Sequence, residues 1–293
     1  MQHVANTALV FESDLLDRHI EEMGGTKPIA HIRSLPGLDR LIGGITPGLV
    51  TALAAQPSCG KTTLLKQVAD DLAEQGHPVI FYSAELPAYR ITQKGITRLS
   101  GGAFTLSETN GTTPGNGDAF ERACHLYAEK VAPRSCIIDG EVSVAELCRR
   151  VGDCVLASEK TPILMVDYLQ LVATSTADIP MDERTAITSC VRDLGNIAKC
   201  YDVPVFVLSS IQRTKYDDPN VGVDVFGGSQ GIDYGIDNGL YLCVDGKDKR
   251  ERQLNMEAQV RPVVVRALKA RYGSLGSAKL DFDAAHATFR DRT

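Results

Sequence analysis

The sequence contains 8 cysteines but no pair of them at the C-x-x-C spacing that zinc sites and redox motifs use. The lack of that spacing argues against a metal-stapled or disulfide-built fold. Cys148, Cys154 and Cys190 fall instead on the apolar stripes of predicted helices, where buried free thiols sit. No uncharged apolar run approaches the roughly eighteen residues that span a bilayer. Glu12 and Asp14 lie within the first fifteen residues, unlike a secretory signal. We therefore expect a cytoplasmic protein without a membrane partner. Internal repeats, heptad arrays and long low-complexity tracts are also missing, which excludes a solenoid or a coiled coil. Positive charge is not in excess either: the formal net charge is −6. This excludes a surface coated in cations for nucleic acid, but not a ring that gathers its few cations in a channel.

What is present is ample material for a core, with 43% hydrophobic residues over a length of 293. Its organising stretch is Ala55-Gln56-Pro57-Ser58-Cys59-Gly60-Lys61-Thr62-Thr63. An apolar run, Leu49 to Ala54, predicts a strand before it. Leu64, Leu65, Val68 and Leu72 predict a helix after it, the strand-loop-helix context of a phosphate-binding loop. Gly60 lets the backbone approach an anion, and N–H groups from Ser58 to Thr62 point at a β-phosphate at the positive end of the helix. Lys61 adds a cation near the β- and γ-phosphates, and Thr62 a hydroxyl for a nucleotide-bound Mg²⁺. Ala55 stands where GxxxxGK[ST] has its first glycine.

Downstream, apolar strand-like runs alternate with helical patterns, which predicts an α/β fold with a mostly parallel sheet covered on both faces. The strands are Pro78 to Ser83, Ser135 to Ile138, Ile163 to Val166 and Val203 to Leu208. Ser143-Val144-Ala145-Glu146 is a capping box opening a helix, and a polar loop runs from Gly101 to Asp118. From Gly239 onward the pattern is of strands only: Gly239 to Val244, Pro262 to Arg271, and a hairpin from Ala278 to Phe289, an antiparallel edge. Ahead of the loop, residues 13–23 predict an amphipathic helix with Leu15, Leu16, Ile20 and Met23 on one face. Too short to bury its own stripe, it must dock on this chain's core or on a neighbouring subunit. The organisation expected is an arm over residues 1–33 followed by one ATPase-like domain over 34–293.

Hydrolysis of a nucleotide needs more than the loop: an acid for Mg²⁺, a group to orient water, and a cation for charge on the γ-phosphate. Asp167 ends the most hydrophobic strand, so its carboxylate emerges at the carboxyl edge of the sheet, where open α/β folds bind ligands. Glu85, two residues past Ser83, reads as the group that aligns water, or as an ordinary exposed turn residue before Pro87. Ser209, Ser210, Gln212 and Arg213 follow a strand and either sense the γ-phosphate or cap the strand end. Lys269 and Arg271 are two apart on a predicted strand and share a face. Unpaired, they repel unless an anion lies against them; they read as a pair offered to a neighbouring subunit's γ-phosphate, or as a solvated strand face.

Taken together, these residues resemble the ATPase domain of bacterial replicative DNA helicases of the DnaB type, within the wider RecA-like group. The resemblance runs from about residue 12 to 290. It is carried by Ser34-Leu35-Pro36-Gly37-Leu38-Asp39-Arg40-Leu41-Ile42-Gly43-Gly44, the phosphate loop, Tyr82-Ser83-Ala84-Glu85-Leu86, Val166-Asp167-Tyr168-Leu169-Gln170-Leu171, Leu208-Ser209-Ser210-Ile211-Gln212-Arg213 and Lys269-Ala270-Arg271-Tyr272-Gly273. The family's loop also lacks its first glycine. The resemblance implies Glu85 as catalytic glutamate, Asp167 as the Walker B acid, Gln212 among the catalytic groups, and Lys269 with Arg271 acting on the adjacent subunit's ATP. It makes residues 13–23 the family's linker helix, which holds a six-membered ring together. Phe226-Gly227-Gly228-Ser229-Gln230-Gly231, with Arg213, would then hold single-stranded DNA phosphates in the channel.

Three departures stand out. Ser210 replaces the family's sensor glutamine, Gly227 replaces a channel arginine, and the family's N-terminal helical domain, which contacts primase, has no counterpart in the resemblance. The reading is an ATP- and Mg²⁺-dependent, ring-forming DNA helicase, a homo-oligomer and by analogy a hexamer, with a helicase loader or other replication proteins as partners. Two alternatives stay open: a RecA-like recombination ATPase that coats DNA without unwinding it, and a regulatory oligomeric ATPase that binds proteins. The first would show aromatic DNA loops and an N-terminal self-association strand; the −6 charge and Gly227 favour the second.

Overall fold

The computed structural model describes residues 27–109, 117–169, 183–211, 221–226, 235–271 and 273–292. Residues 13–23, where the amphipathic helix is expected, lie outside them. Among the described residues the first helix is α1 (Pro36–Ile42), with proline in the first turn and Gly43 at φ 78° closing the last. Strand β1 (Val50–Ala55), helix α2 (Lys61–Glu74), strand β2 (Val79–Ser83) and helices α3 (Ala88–Leu99) and α4 (Gly117–Lys130) follow. Next come β3 (Ser135–Asp139), α5 (Val144–Ala157), β4 (Ile163–Asp167), α6 (Glu183–Tyr201) and β5 (Val205–Ser210). The chain closes with β6 (Asn238–Val244), α7 (Lys249–Glu257), β7 (Val260–Lys269), β8 (Ser277–Asp283) and β9 (Thr288–Asp291). The capping box opens α5 as expected: the Glu146 N–H donates to the Ser143 hydroxyl at 3.1 Å.

Among the described residues the strands make one sheet in the order β3-β2-β4-β5-β1-β6-β7-β8-β9. From β3 through β6 neighbours are parallel, and β7, β8 and β9 add antiparallel. This is the predicted α/β architecture with its antiparallel edge. Alternate residues of the central strands feed two cores. Leu53, Phe81, Met165 and Phe206 face α1, α2 and the hairpin; Ala52, Ile80, Val166 and Val207 face α5 and α6. Ala30 and Ile32, ahead of residue 34, are buried in the first core, and Ala30 bridges Ile45.

One difference is α7, in a region expected to be all strand. Only Leu254 and Met256 in it are apolar and none of its residues is buried, so no apolar stripe marks it; the Asp248 carboxylate accepting the Glu251 N–H at 2.8 Å starts it. Another concerns the thiols. Cys190 is buried as expected, but Cys148 and Cys154 are only partly so, because α5 lies near the surface above the second core.

A buried polar cluster fixes how α2 and α3 sit. Lys66 and Asp70 on α2 pair with each other, Lys66 donates to the Tyr127 hydroxyl at 2.9 Å, and Arg98 on α3 pairs with Asp70 at 2.9 Å. Burial pulls the Lys66 ammonium down, but Asp70 and Tyr127 outweigh it and its pKa is raised. Such a cluster survives burial only because each member finds a partner. Gly95 makes the approach possible: a Cβ there would lie 2.5 Å from the Tyr127 ring and 2.7 Å from an Asp70 oxygen.

Candidate functional site

The turn between β1 and α2 is the focus of the carboxyl edge. Ala55 is the last residue of β1, paired to Ser210 of β5 and Leu242 of β6, so strand pairing continues where the motif usually has a glycine. Ser58 takes φ 63° and Gly60 φ 85°. At Gly60 a side chain has no room, since a Cβ would lie 2.6 Å from Phe282 and 2.9 Å from Phe289. Those two rings stack at 4.3 Å beneath the turn. They are held there by Gln67, whose side-chain amide pairs both ways with the Phe289 backbone, at 2.8 and 3.0 Å. Arg261 donates to the Ser58 carbonyl at 2.8 Å. The N-terminus of α2 thus opens onto a cleft of about 340 Å³ lined by Ser58, Gly60, Lys61, Thr62, Thr63 and Glu85, among others. Cys59 is buried instead, and burial pushes its thiol up to about 12, so it is inert at neutral pH.

Glu85 lines this cleft and Asp167 lies buried beside it for a topological reason. β2 and β4 are neighbours with Ser83 opposite Asp167, and the Ala84 N–H donates to the Asp167 carbonyl at 2.7 Å. The Ser83 hydroxyl, bonded to Leu86 in both directions, turns the chain so that Glu85 faces Lys61 at 3.6 Å. Tyr168 lies under the same ammonium, 4.5 Å from its ring centre. Asp167 is fully buried, and among the described residues neither of its carboxylate oxygens has a partner at hydrogen-bonding geometry. Burial raises its pKa, opposed by Lys61, the nearby Thr62 hydroxyl and Lys94.

Lys94 joins the site without a sequence signal. It donates to the Thr63 hydroxyl at 3.3 Å and lines the cleft. Burial lowers its pKa against the pull of Asp167 and Glu85. Nothing in the sequence separates it from other lysines on an amphipathic helix; only the packing of α3 through Arg98 brings it in.

Ser210 also lines the cleft. Gln212 and Arg213 lie outside the described residues, as do Gly227, Gly228 and Ser229. Lys269 and Arg271 are elsewhere. Because β7 runs antiparallel to β6, Lys269 lies opposite Gly239, at the end of the sheet where β1 begins. That is the far edge from the phosphate loop: Gly239 is level with Ala52, roughly 10 Å along β1 from Ala55, and β7 lies two strands to the side. The expectation that both cations lie on one strand face is corrected here. Lys269 is the last residue of β7, with Arg271 beyond its end, and both are engaged. Lys269 donates to the Ile236 carbonyl at 2.7 Å, and Arg271 pairs with Asp237.

Fold and site define a P-loop nucleotide-binding domain of the RecA-like class. Residues 33–291 match the DnaB-like helicase C terminal domain family, and the chain belongs to that family. It is 28% identical over 265 residues to the replicative DNA helicase DnaB of Treponema pallidum, covering 87% of this chain and 54% of that protein. Against the Pasteurella multocida protein of the same name it is 32% identical over 181 residues, 60% of this chain and 38% of the relative. The chain therefore spans about half or less of the length of these curated relatives. Among solved structures, one of an isolated ATPase domain superposes with a TM-score of 0.81 at 20% identity, over 98% of this chain and 100% of that one. A DnaB-like replicative helicase, in a study of its interactions with primase, gives 0.78 at 20% identity over 98% and 68%. Among the described residues no helix is long and apolar enough to cross a membrane.

Proposed function

We propose that this protein is an ATP-hydrolysing DNA helicase motor that forms a ring, translocates on single-stranded DNA and completes each nucleotide site with residues of the neighbouring subunit. The observation that carries this reading is the division of its charged groups between two edges of one sheet. Ser58 to Thr63, Glu85 and Asp167 share the carboxyl edge, whereas Lys269 and Arg271 sit at the opposite edge and cannot reach their own chain's cleft. Family membership supports DNA as the track. The same membership supports a hexamer, a helicase loader or other replication proteins among the partners, and action in the cytoplasm.

In this reading the amides from Ser58 to Thr62 bind the β-phosphate and Lys61 spans the β- and γ-phosphates. Glu85, near Lys61, holds a water in line with the γ-phosphorus and accepts its proton. Lys269 and Arg271 of one subunit stabilise charge on the next subunit's γ-phosphate. The orphaned, buried Asp167 carboxylate beside the Thr62 hydroxyl is a hard-oxygen donor set that fits Mg²⁺ completed by phosphate oxygens and water. Bound there, the cation would neutralise charge on the phosphates. Gln212 would sense the γ-phosphate, and Arg213 with Gly227, Gly228 and Ser229 would hold the DNA backbone.

The test is steady-state ATP hydrolysis with and without single-stranded DNA, on protein whose mass is measured by light scattering with Mg²⁺ and nucleotide. DNA-stimulated hydrolysis by a ring-sized species is the expected result. Unstimulated hydrolysis by a monomer or dimer contradicts it.

A further inference from the structure

The far edge of the sheet holds a junction that the motor reading leaves unused. Asp237 and Asn238, at the entry to β6, are buried, yet both spend their side chains on two other elements. One Asp237 oxygen accepts the Val50 N–H at 2.9 Å, and the other takes the Arg271 guanidinium. The Asp237 N–H returns to the Val50 carbonyl at 2.9 Å. Asn238 accepts the Arg271 N–H at 3.0 Å through its side-chain carbonyl and donates to the Thr51 hydroxyl at 3.2 Å. Lys269 is tied one residue earlier, to the Ile236 carbonyl. Three consecutive residues thus hold both cations and the first two residues of β1, the strand whose other end is the phosphate loop.

We infer that Asp237 is a positioning residue for the trans-acting arginine, fixing Arg271 to the root of its own subunit's β1. The inference rests on the reading that Arg271 acts on the neighbouring subunit's nucleotide. The chemistry favours positioning over simple bracing. Arg271 is 56% exposed while the Asp237 side chain is 10% exposed, so one end of the pair is fixed and the other faces solvent. A guanidinium is a rigid planar fork, and a carboxylate on one of its sides sets the orientation of the whole group. The arginine is thereby held in one orientation at this edge of the sheet, with the rest of the group exposed. The same carboxylate receives the Val50 N–H, so displacement of Arg271 by a neighbour's nucleotide is felt at the start of the strand that ends in the subunit's own loop. The two sites of adjacent subunits are joined by one hydrogen-bonded element.

The test is a double-mutant cycle on ATP hydrolysis by the full chain with DNA present. Asp237→Asn keeps an acceptor for Val50 but replaces the guanidinium's carboxylate partner with an amide. It is expected to lower kcat about tenfold, as a misplaced catalytic group does, with KM changed less than about twofold and binding of a fluorescent ATP analogue unchanged. Placed on Arg271→Ala, it should add no further loss, because its effect runs through that arginine. Losses that multiply, or an unchanged kcat in Asp237→Asn alone, overturn the positioning role while leaving the trans reading intact. Normal hydrolysis by Arg271→Ala overturns both, and is distinguishable because it appears without any change at Asp237. Should Asp237→Asn melt below the assay temperature, Asp237→Glu, which keeps the charge but displaces the carboxylate from the Arg271 guanidinium, gives the same cycle with the same two outcomes.

Discussion

The two edges of the sheet satisfy their charges in opposite ways. At the carboxyl edge Asp167 is buried with neither oxygen partnered among the described residues, and Lys94 and Glu85 line the open cleft beside it. At the far edge Lys269 and Arg271 are anchored by Ile236 and Asp237. Leaving a carboxylate buried and unpaired costs stability, and a fold keeps such a group where a ligand supplies the missing interactions. Holding a cation on a carboxylate of the same chain sets its position while one side of it stays exposed. In the proposed reading, one edge is completed by a ligand and the other by a second copy of the chain.

Substitutions at each edge separate these roles. The largest effect belongs to the far edge: Arg271→Ala is expected to lower kcat by about 10³-fold, the lower range for an arginine finger, with ATP binding spared. A wild-type rate in a single-turnover assay would remove the interface site. Next, Asp70→Ala strips the buried partner from Lys66 and Arg98 and should cost about 3 kcal/mol in denaturant unfolding. An unchanged midpoint would show that the cluster does not hold α3, and with it Lys94, against α2. Glu85→Gln should slow hydrolysis about 10²-fold with nucleotide affinity retained, measured as kcat against the Kd of an unhydrolysed analogue.

The smallest effect has the opposite sign. The pKa of Asp167 is raised in the folded protein, so its contribution to stability is fully present below the unfolded carboxylate pKa and is lost as pH rises through the folded value. Asp167→Asn should therefore stabilise the nucleotide-free protein near neutral pH by about 1 kcal/mol, or ~2 °C in Tm, while abolishing hydrolysis. The gain should vanish below about pH 4, where the carboxyl is protonated in both states. A variant that melts lower at neutral pH contradicts this role for the carboxylate.

The two edges are unequally legible in the sequence. The carboxyl edge follows from local pattern: an apolar run ending in Asp167, a Gly-Lys-Thr between strand and helix, a glutamate two residues past a strand. Parallel pairing then brings Ser83 beside Asp167 without further information. Lys94 is hidden because a lysine on a helix carries no local mark, and its place depends on Gly95 fitting against Tyr127. At the far edge the pair Lys269 and Arg271 is legible as two cations, but not the partners that hold them. Asp237 and Asn238 are polar residues ahead of an apolar strand, and their bonds to β1 cross 187 residues of chain. The α7 helix has an available signal in Asp248 and Glu251, a cap without an apolar stripe to follow it.

An active site built from two copies of the chain can be read out in a mixed assembly. Glu85→Gln and Arg271→Ala subunits are co-expressed, and ATP hydrolysis by the mixture is compared with that of each variant alone. Shared sites predict activity above that of either variant, because some interfaces then pair an intact Glu85 with an intact Arg271 from its neighbour. A mixture no more active than its two parents, at equal oligomer mass, would contradict the shared site.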